Sequence, residues 1–418
     1  MKKLFILFTA FFPAWVGAGG TFGANIIDYL DFPFESYNLN LVQLSEGYYL
    51  VSGANSALKF STFTCNATGS VGADTINTFT PAIGFNIRGH AVVYSGGYAI
   101  IVCQRYGGGD SLYAISVAVS TSGAITRSIK SKLTLYAANE GVSFALLPEK
   151  SGYFILTYPK QSTRKLMVCT IRCNSGTLTK IQAAESTSSL PIGGSSITRW
   201  EGSSNYYLIK VGTATKQIVY DIYSSDGTIT TSPLFSDSIS YNSNGYSAFG
   251  VAHLSPGTYE YFVSWSLYSG NIQLQTFYAW GTAINDQIEY LDGGGLTTDY
   301  GATGINFASG QFMFMGDNAC VGVAEITSTG DITSTSLSPT KSLEASSWRG
   351  GNLYALGTSG NVTYFLASYT YFLYHGARVV TFSYDSTPTG WPHTISGFNP
   401  SEVGGIPKAS ITHVGGVQ

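Results

Sequence analysis

Asn66-Ala67-Thr68-Gly69-Ser70-Val71 and, 54 residues later, Ser120-Thr121-Ser122-Gly123-Ala124-Ile125 are one hairpin written twice. Each copy follows an apolar run and leads into another. Its glycine can take φ > 0, and the Ser, Thr or Asn before it can bond its own backbone, as a tight hairpin requires. The motif returns as Cys173-Asn174-Ser175-Gly176-Thr177-Leu178, as Ser224-Ser225-Asp226-Gly227-Thr228-Ile229 and as Thr327-Ser328-Thr329-Gly330-Asp331-Ile332. Weaker copies centre on Gly281 and Gly390, and the steps between the seven glycines are 54, 53, 51, 54, 49 and 60 residues.

A second anchor runs in phase with the first. Aromatic-rich strands are expected to begin at Tyr48, Tyr98, Tyr153, Tyr206, Tyr259, Phe312 and Tyr364, each upstream of its hairpin glycine. Partner strands include Leu112 to Val119, Leu166 to Cys173, Lys216 to Tyr223 and Ala377 to Tyr384. Four short strands in about 50 residues is the period of a propeller blade. A sheet that is apolar on both faces can hide them only against its neighbours, so the ring has to close.

On these repeats the chain resembles the β-propeller superfamily over roughly residues 36–400. The resemblance implies an all-β fold, a single β-propeller of about seven four-stranded blades. The Gly-His and Trp-Asp pairs of one large class are missing, as is the Asp-box of sialidases. Ser224-Ser225-Asp226-Gly227-Thr228 lacks that box's spacer and Trp. The uncharged, Gly/Ser/Thr/Tyr-rich texture is similar to that of bacteriophage virion appendage proteins, a likeness of style without a residue-level motif. The expected layout is an apolar N-terminal arm at 1–35 (or a signal peptide at 1–18 plus linker), a propeller at 36–400 and a C-terminal segment at 401–418. Ser410-Ile411-Thr412-His413 resembles Ser196-Ile197-Thr198-Arg199, so the ring-closing strand, or the start of a truncated eighth unit, is expected in that last segment.

Composition narrows the function classes. With 49 Gly, 29 Tyr and 24 Phe but only 11% charged residues, the chain is rich in strand and turn formers and poor in surface-helix formers. A 44% hydrophobic share and net charge of −3 argue against disorder and against nucleic acid, which needs clustered Lys and Arg. The densest basic run, Lys160-Gln161-Ser162-Thr163-Arg164-Lys165, reads as a solvated hairpin tip. Met1-Lys2-Lys3, the apolar run Leu4 to Gly20 and Val16-Gly17-Ala18 fit either a secretory signal or a docked arm. The run is short and carries Pro13, so no membrane span is expected.

The chemistry-bearing residues are sparse. Cys65, Cys103, Cys169, Cys173 and Cys320 are odd in number, and Cys169 and Cys173 would sit about 13 Å apart along a strand. They read as small buried hydrophobes, with one inter-blade bridge left open. His90, His253, His375, His393 and His413 share no ligating spacing, and no metal or other cofactor is expected. Asp286, Glu289 and Asp292 before Gly293-Gly294-Gly295 read as a solvated rim loop. Gly107-Gly108-Gly109-Asp110 precedes a strand rather than a helix, so it forms no dinucleotide cradle. No Gly-x-Ser-x-Gly elbow occurs, which leaves an unrecognised carboxylate pair as the one enzymatic route, that of a glycoside hydrolase. Turns explain Asp226 and Asp331.

Rings in probable loops are the most informative group: Tyr106, Tyr241, Tyr246, Tyr268, Tyr300, Trp348 and Trp391. Beside Asn, Ser and Asp they suit either sugar stacking or contact with a neighbouring subunit, and none is singled out as a site. Asn66-Ala67-Thr68 and Asn361-Val362-Thr363 are glycosylation sequons at apparent turns. The expectation is a non-enzymatic structural or host-binding component of a virus particle, contacting neighbouring subunits of an assembly or a surface glycan. A secreted or cell-surface bacterial propeller is the alternative, and a secreted carbohydrate-active enzyme the third reading.

Overall fold

A computed structural model describes residues 20–386 except 37, 106–110, 137–144, 149–151, 161–164, 186–194, 200–205, 212–215, 224–227, 230–234, 239–247, 256–258, 269–270, 281–282, 298–301, 309, 317–318, 335–336, 338, 345–346 and 372–375; beyond them it describes 402–403 and 406–407. Secondary structure among the described residues is all strand.

Antiparallel sheets follow one another along the chain. The first is Asn38–Ser45, Tyr48–Asn55, Ala57–Thr64 and Asn77–Phe79; the second is Ile87–Ser95, Tyr98–Arg105, Leu112–Val119 and Ile125–Tyr136. The third comprises Ala145–Pro148, Tyr153–Lys160, Lys165–Asn174 and Thr177–Glu185. In the fourth, Ser195–Arg199, Tyr206–Val211 and Lys216–Tyr223 are joined by Phe235–Ser238 and the short Thr228–Ile229. The fifth is Ala248–Ser255, Tyr259–Tyr268, Asn271–Trp280 and Ala283–Thr297; the sixth is Thr303–Ala308, Gln311–Met315, Cys320–Glu325 and Thr340–Ser342. The seventh joins Ser347–Ser359, Val362–Tyr371 and Gly376–Asp385 to two strands from the other end of the chain, Asp28–Glu35 and Thr21–Phe22. The first strand of each sheet touches the first strand of the next, and that of the seventh touches that of the first. This is a β-propeller of four-stranded blades, each with its first strand innermost.

Ring closure differs from the sequence expectation. The strand that completes the seventh sheet is Asp28–Glu35, paired from Asp28↔Thr381 to Glu35↔Gly376. Residues 21–35 therefore belong to the propeller rather than to an N-terminal arm. The physical reason is period-two alternation: Leu30, Phe32 and Phe34 are buried against the first sheet, while Tyr29, Asp31 and Pro33 are exposed. Pro33 has no N–H to donate and is tolerated on an edge strand. At the C-terminus Glu402–Val403 pairs only with Ile406–Pro407, and residues 410–413 lie outside the described residues, as do 1–19.

The core lies between sheets. Leu50, Leu58 and Phe60 of the first pack on Ile101, Cys103 and Ile115 of the second, all nearly fully buried. Met167, Cys169 and Ile171 face the second sheet from the third, with Cys173 packed beside them, so the alternating face seen in the sequence is a blade interface. All five cysteines are free thiols.

The hairpin glycines also join the blades. Gly69, Gly123, Gly176 and Gly330 have φ of +89°, +84°, +84° and +87°. Each carbonyl accepts a hydrogen bond from a buried hydroxyl on the third strand of the preceding blade: Thr381 to Gly69 (2.5 Å), Thr62 to Gly123 (2.6 Å), Ser116 to Gly176 and Thr276 to Gly330 (2.5 Å). A side chain at Gly123 would also meet the Ile76 Cδ1 of that preceding blade at 2.9 Å. Glycine is thus required twice, by dihedral and by space. Asp331 holds its own hairpin through Thr327 and Thr329. The copies at Gly227, Gly281 and Gly390, and Asp226 with them, fall outside the described residues.

Candidate functional site

Strand alternation sorts every connection onto one of two faces. Turns between first and second strands, and between third and fourth, share the hairpin face. Turns between second and third strands, and the links from blade to blade, share the opposite face, here called the loop face. Among the described residues of the loop-face connections, Phe85 is an aromatic ring.

Of the rings the sequence singled out, Tyr268 ends the strand Tyr259–Tyr268 and Trp348 is the second residue of the strand Ser347–Ser359, both at loop-face ends. Tyr106, Tyr241, Tyr246, Tyr300 and Trp391 lie outside the described residues, as do His375, His393, His413, residues 107–110 and 161–164. One described loop-face cluster shows the chemistry available. Phe85 stacks on Tyr113 at 4.6 Å, and Lys132 Nζ lies 4.7 and 4.9 Å from the two ring centres while donating to the Ile83 carbonyl.

On the same face, at the seam between the seventh and first sheets, a cleft of about 540 Å³ opens between Phe32, Pro33, Phe34, Asn55, Ser56 and Lys59. Ser56, at the tip of its hairpin, has φ of +62°, a sterically costly value for a residue with a Cβ, and its carbonyl accepts from Ile87 N of the second sheet. Lys59 is half-buried, and no hydrogen bond or ion pair engages it among the described residues.

The matching position of the seventh sheet is furnished differently. Lys59 stands three residues before the Thr62 hydroxyl and Arg378 three before the Thr381 hydroxyl. Arg378 donates through Nε and Nη2 to both oxygens of Asp31 (2.6 and 3.0 Å) and through Nη1 to Glu344 Oε2 (2.8 Å). The Tyr29 ring lies 4.8 Å from the guanidinium carbon. The bidentate carboxylate raises the guanidinium's pKa further above its ordinary value. Asp31 belongs to the closing strand, so this network ties the two ends of the chain. It also brings two carboxylates together, but around a cation that both already bind.

Two histidines complete the inventory. His90 Nε2 lies 2.9 Å from Ser52 Oγ and 3.2 Å from Asn40 Nδ2, and Asn40 Nδ2 also donates to the His90 carbonyl. The Ser–His contact has nucleophile–base spacing, yet Ser52 is 0% and His90 7% exposed, leaving no room for a substrate. It joins the first and second sheets. Burial pushes the His90 pKa down to about 4, and Nδ1 has no acceptor for a second proton. In the fifth sheet His253 Nε2 meets Glu260 Oε2 at 2.5 Å, with Glu260 buried and His253 partly so.

Asp286, Glu289 and Asp292 do not form the rim loop read from the sequence. They lie in the strand Ala283–Thr297, where Glu289 pairs with Thr276 and Asp292 with Gln273. Register shifts absorb the spacing that looked loop-like. No group of three or more His, Cys, Asp or Glu converges on a metal position among the described residues. No described helix is long and apolar enough to cross a membrane. The Asn66 side chain accepts from Thr68 and Ser70, and Asn361 is exposed at its turn.

No family model matches the chain, and neither does any curated protein. Among solved structures, a crystal structure of a protein from Lactobacillus plantarum, a structural-genomics target, superposes with a TM-score of 0.52 at 11% identity. The match covers 73% of this chain and 85% of that one, and shows a shared fold.

Proposed function

We propose that the chain is a non-enzymatic binding and structural component, a seven-bladed ring that meets a glycan or a neighbouring subunit through its loop face. Seven first strands that touch one another in a cycle support that blade number. The observation that carries the functional reading is that the loop face holds both the Phe85–Tyr113 stack capped by Lys132 and a cleft of about 540 Å³. Tyr and Phe supply large contact area at low entropic cost, and sugar C–H faces stack on them.

The chain enters the described fold at Thr21–Phe22, which pair with Tyr384 and Asp385 at the hairpin-face end of their strand. An apolar segment leading from there would anchor the ring by its back and turn the loop face outward. That arrangement, with the uncharged texture, supports a virion appendage. A glycan array probed with the purified protein, and with Tyr106→Ala and Tyr300→Ala, tests the binding face. Binding lost in those variants supports the reading; binding that persists in both counts against it. N-terminal sequencing separates a particle component, which keeps Met1, from a secreted propeller starting near Gly19.

A further inference from the structure

We infer that the cleft at the seam between the seventh and first sheets is an acidic-sugar subsite, with Lys59 as its carboxylate receptor; this deepens the glycan reading above and rests on it. Three observations converge. First, about 540 Å³ lies within the range of small-ligand sites, and the lining combines apolar surface from Phe32, Pro33 and Phe34 with polar Asn55 and Ser56. Such a mixture suits a sugar, which has C–H edges and a fringe of hydroxyls.

Second, Lys59 lines the cleft, and among the described residues no carboxylate engages its side chain. An anion entering the cleft would gain a charge-assisted interaction with the Lys59 ammonium. The register-equivalent Arg378 shows what this position does when the chain supplies its own carboxylates: Asp31 and Glu344 close on it within 3.0 Å. At Lys59 no carboxylate among the described residues takes that role, and in this subsite it falls to a ligand.

Third, the backbone around the cleft is held in place. Gly53, opposite Lys59 in the ladder, stands where the seventh sheet has Tyr369, and a Cβ on it would meet Phe34 Cε2 and Ser36 Oγ at 2.7 Å. Phe34 and Ser36 thus pack directly over Gly53, and Ala54 N donates to Ser36 Oγ. Gly376 opens the far wall, since nothing lies within 4 Å of where its Cβ would be. Ser56 keeps its φ of +62° at the rim, the kind of local strain that persists where its surroundings over-determine it.

The experiment is isothermal titration of the full chain with a galacturonic-acid disaccharide, its neutral galactose counterpart and a short Glu-rich peptide. The expected result is saturable binding of the acidic disaccharide alone, weakened about tenfold or more in Lys59→Gln and by added salt, and retained in Lys59→Arg. Because the ligand would span the closing strand and the first sheet, it should also raise the melting temperature of the parent and leave that of Lys59→Gln unmoved. Matching melting curves of the two ligand-free proteins serve as the folding control. No binding of the acidic disaccharide, binding indifferent to Lys59, or preference for the peptide would each overturn the inference. Should a glycan array meanwhile give neutral ligands that depend on Tyr106 or Tyr300, the subsite falls while the loop-face reading stands.

Discussion

Lys59 and Arg378 occupy the same place in their blades, three residues ahead of a buried threonine that bonds the next hairpin, yet they have opposite fates. Arg378 is closed in by Asp31, Glu344 and Tyr29. Lys59 faces a cleft and has no partner among the described residues. The second blade offers a third solution: Tyr113 stands at the equivalent position and Lys132 caps its ring. One register position therefore serves as an electrostatic lock, a vacancy or a packed ring, according to what the neighbouring blade brings to it. Repetition fixes where a side chain points, and the seam decides what it does.

The comparison can be broken most severely at the closing strand. Deleting residues 1–35 removes the fourth strand of the seventh sheet and uncovers Phe63, Val379 and their neighbours. Cooperative thermal unfolding should be lost, and calorimetry would show whether a sharp transition survives. Next comes the contrast between the two seams of the first sheet. One is tied by the charged Arg378 and the other by the neutral His90.

A histidine with a folded pKa of about 4 against about 6.5 when unfolded binds fewer protons in the native state between those values. Its contribution is therefore complete above pH 6.5 and lost as pH falls towards 4, by up to about 3 kcal/mol. Urea midpoints across that window should fall steeply in the parent and more gently in His90→Gln.

The lock itself should rank third. Arg378→Met removes three charge-assisted hydrogen bonds but at a partly exposed site, so about 2 kcal/mol is expected. Lys59→Met should stay within about 0.5 kcal/mol, and equal losses at both positions in chemical denaturation would dissolve the distinction drawn here. Smallest of the destabilising set, Thr62→Val and Thr381→Val each strand one buried glycine carbonyl and should cost about 1 kcal/mol at either seam, read by the same denaturation curves.

Much of this architecture was legible because a blade repeats its constraints. Tyr48, Tyr98, Tyr153, Tyr206 and Tyr259 do begin second strands, and the glycine hairpins fall where their φ demands them. Asp28–Glu35 was missed for a definite reason: the hairpin motif marks the junction of third and fourth strands, and the seventh sheet takes its fourth strand from a place where no such junction exists. The site was less legible still. Nothing near Arg378 in sequence announces Asp31, which lies 347 residues away, and a lone lysine in a strand carries no local signature of the cleft before it. The offset from Lys59 to Thr62 and from Arg378 to Thr381 was the available signal, and it acquires meaning only once the threonines are seen bonding the next blade.

A closing strand borrowed from the start of the chain also sets an order of events. During synthesis, the partner of Asp28–Glu35, Gly376–Asp385, is made more than 340 residues after it. Through that interval Leu30, Phe32 and Phe34 can pack on the first sheet, but their strand has no edge to pair with. The intermediate is an open arc with a sticky tail, the kind of species that recruits chaperones or pairs with a second copy. Folding speed should accordingly be governed by this single long-range encounter rather than by the local hairpins. A circular permutant that starts at residue 36 and carries residues 20–35 after Ser386 would turn that encounter into a local one, and should refold faster at the same stability.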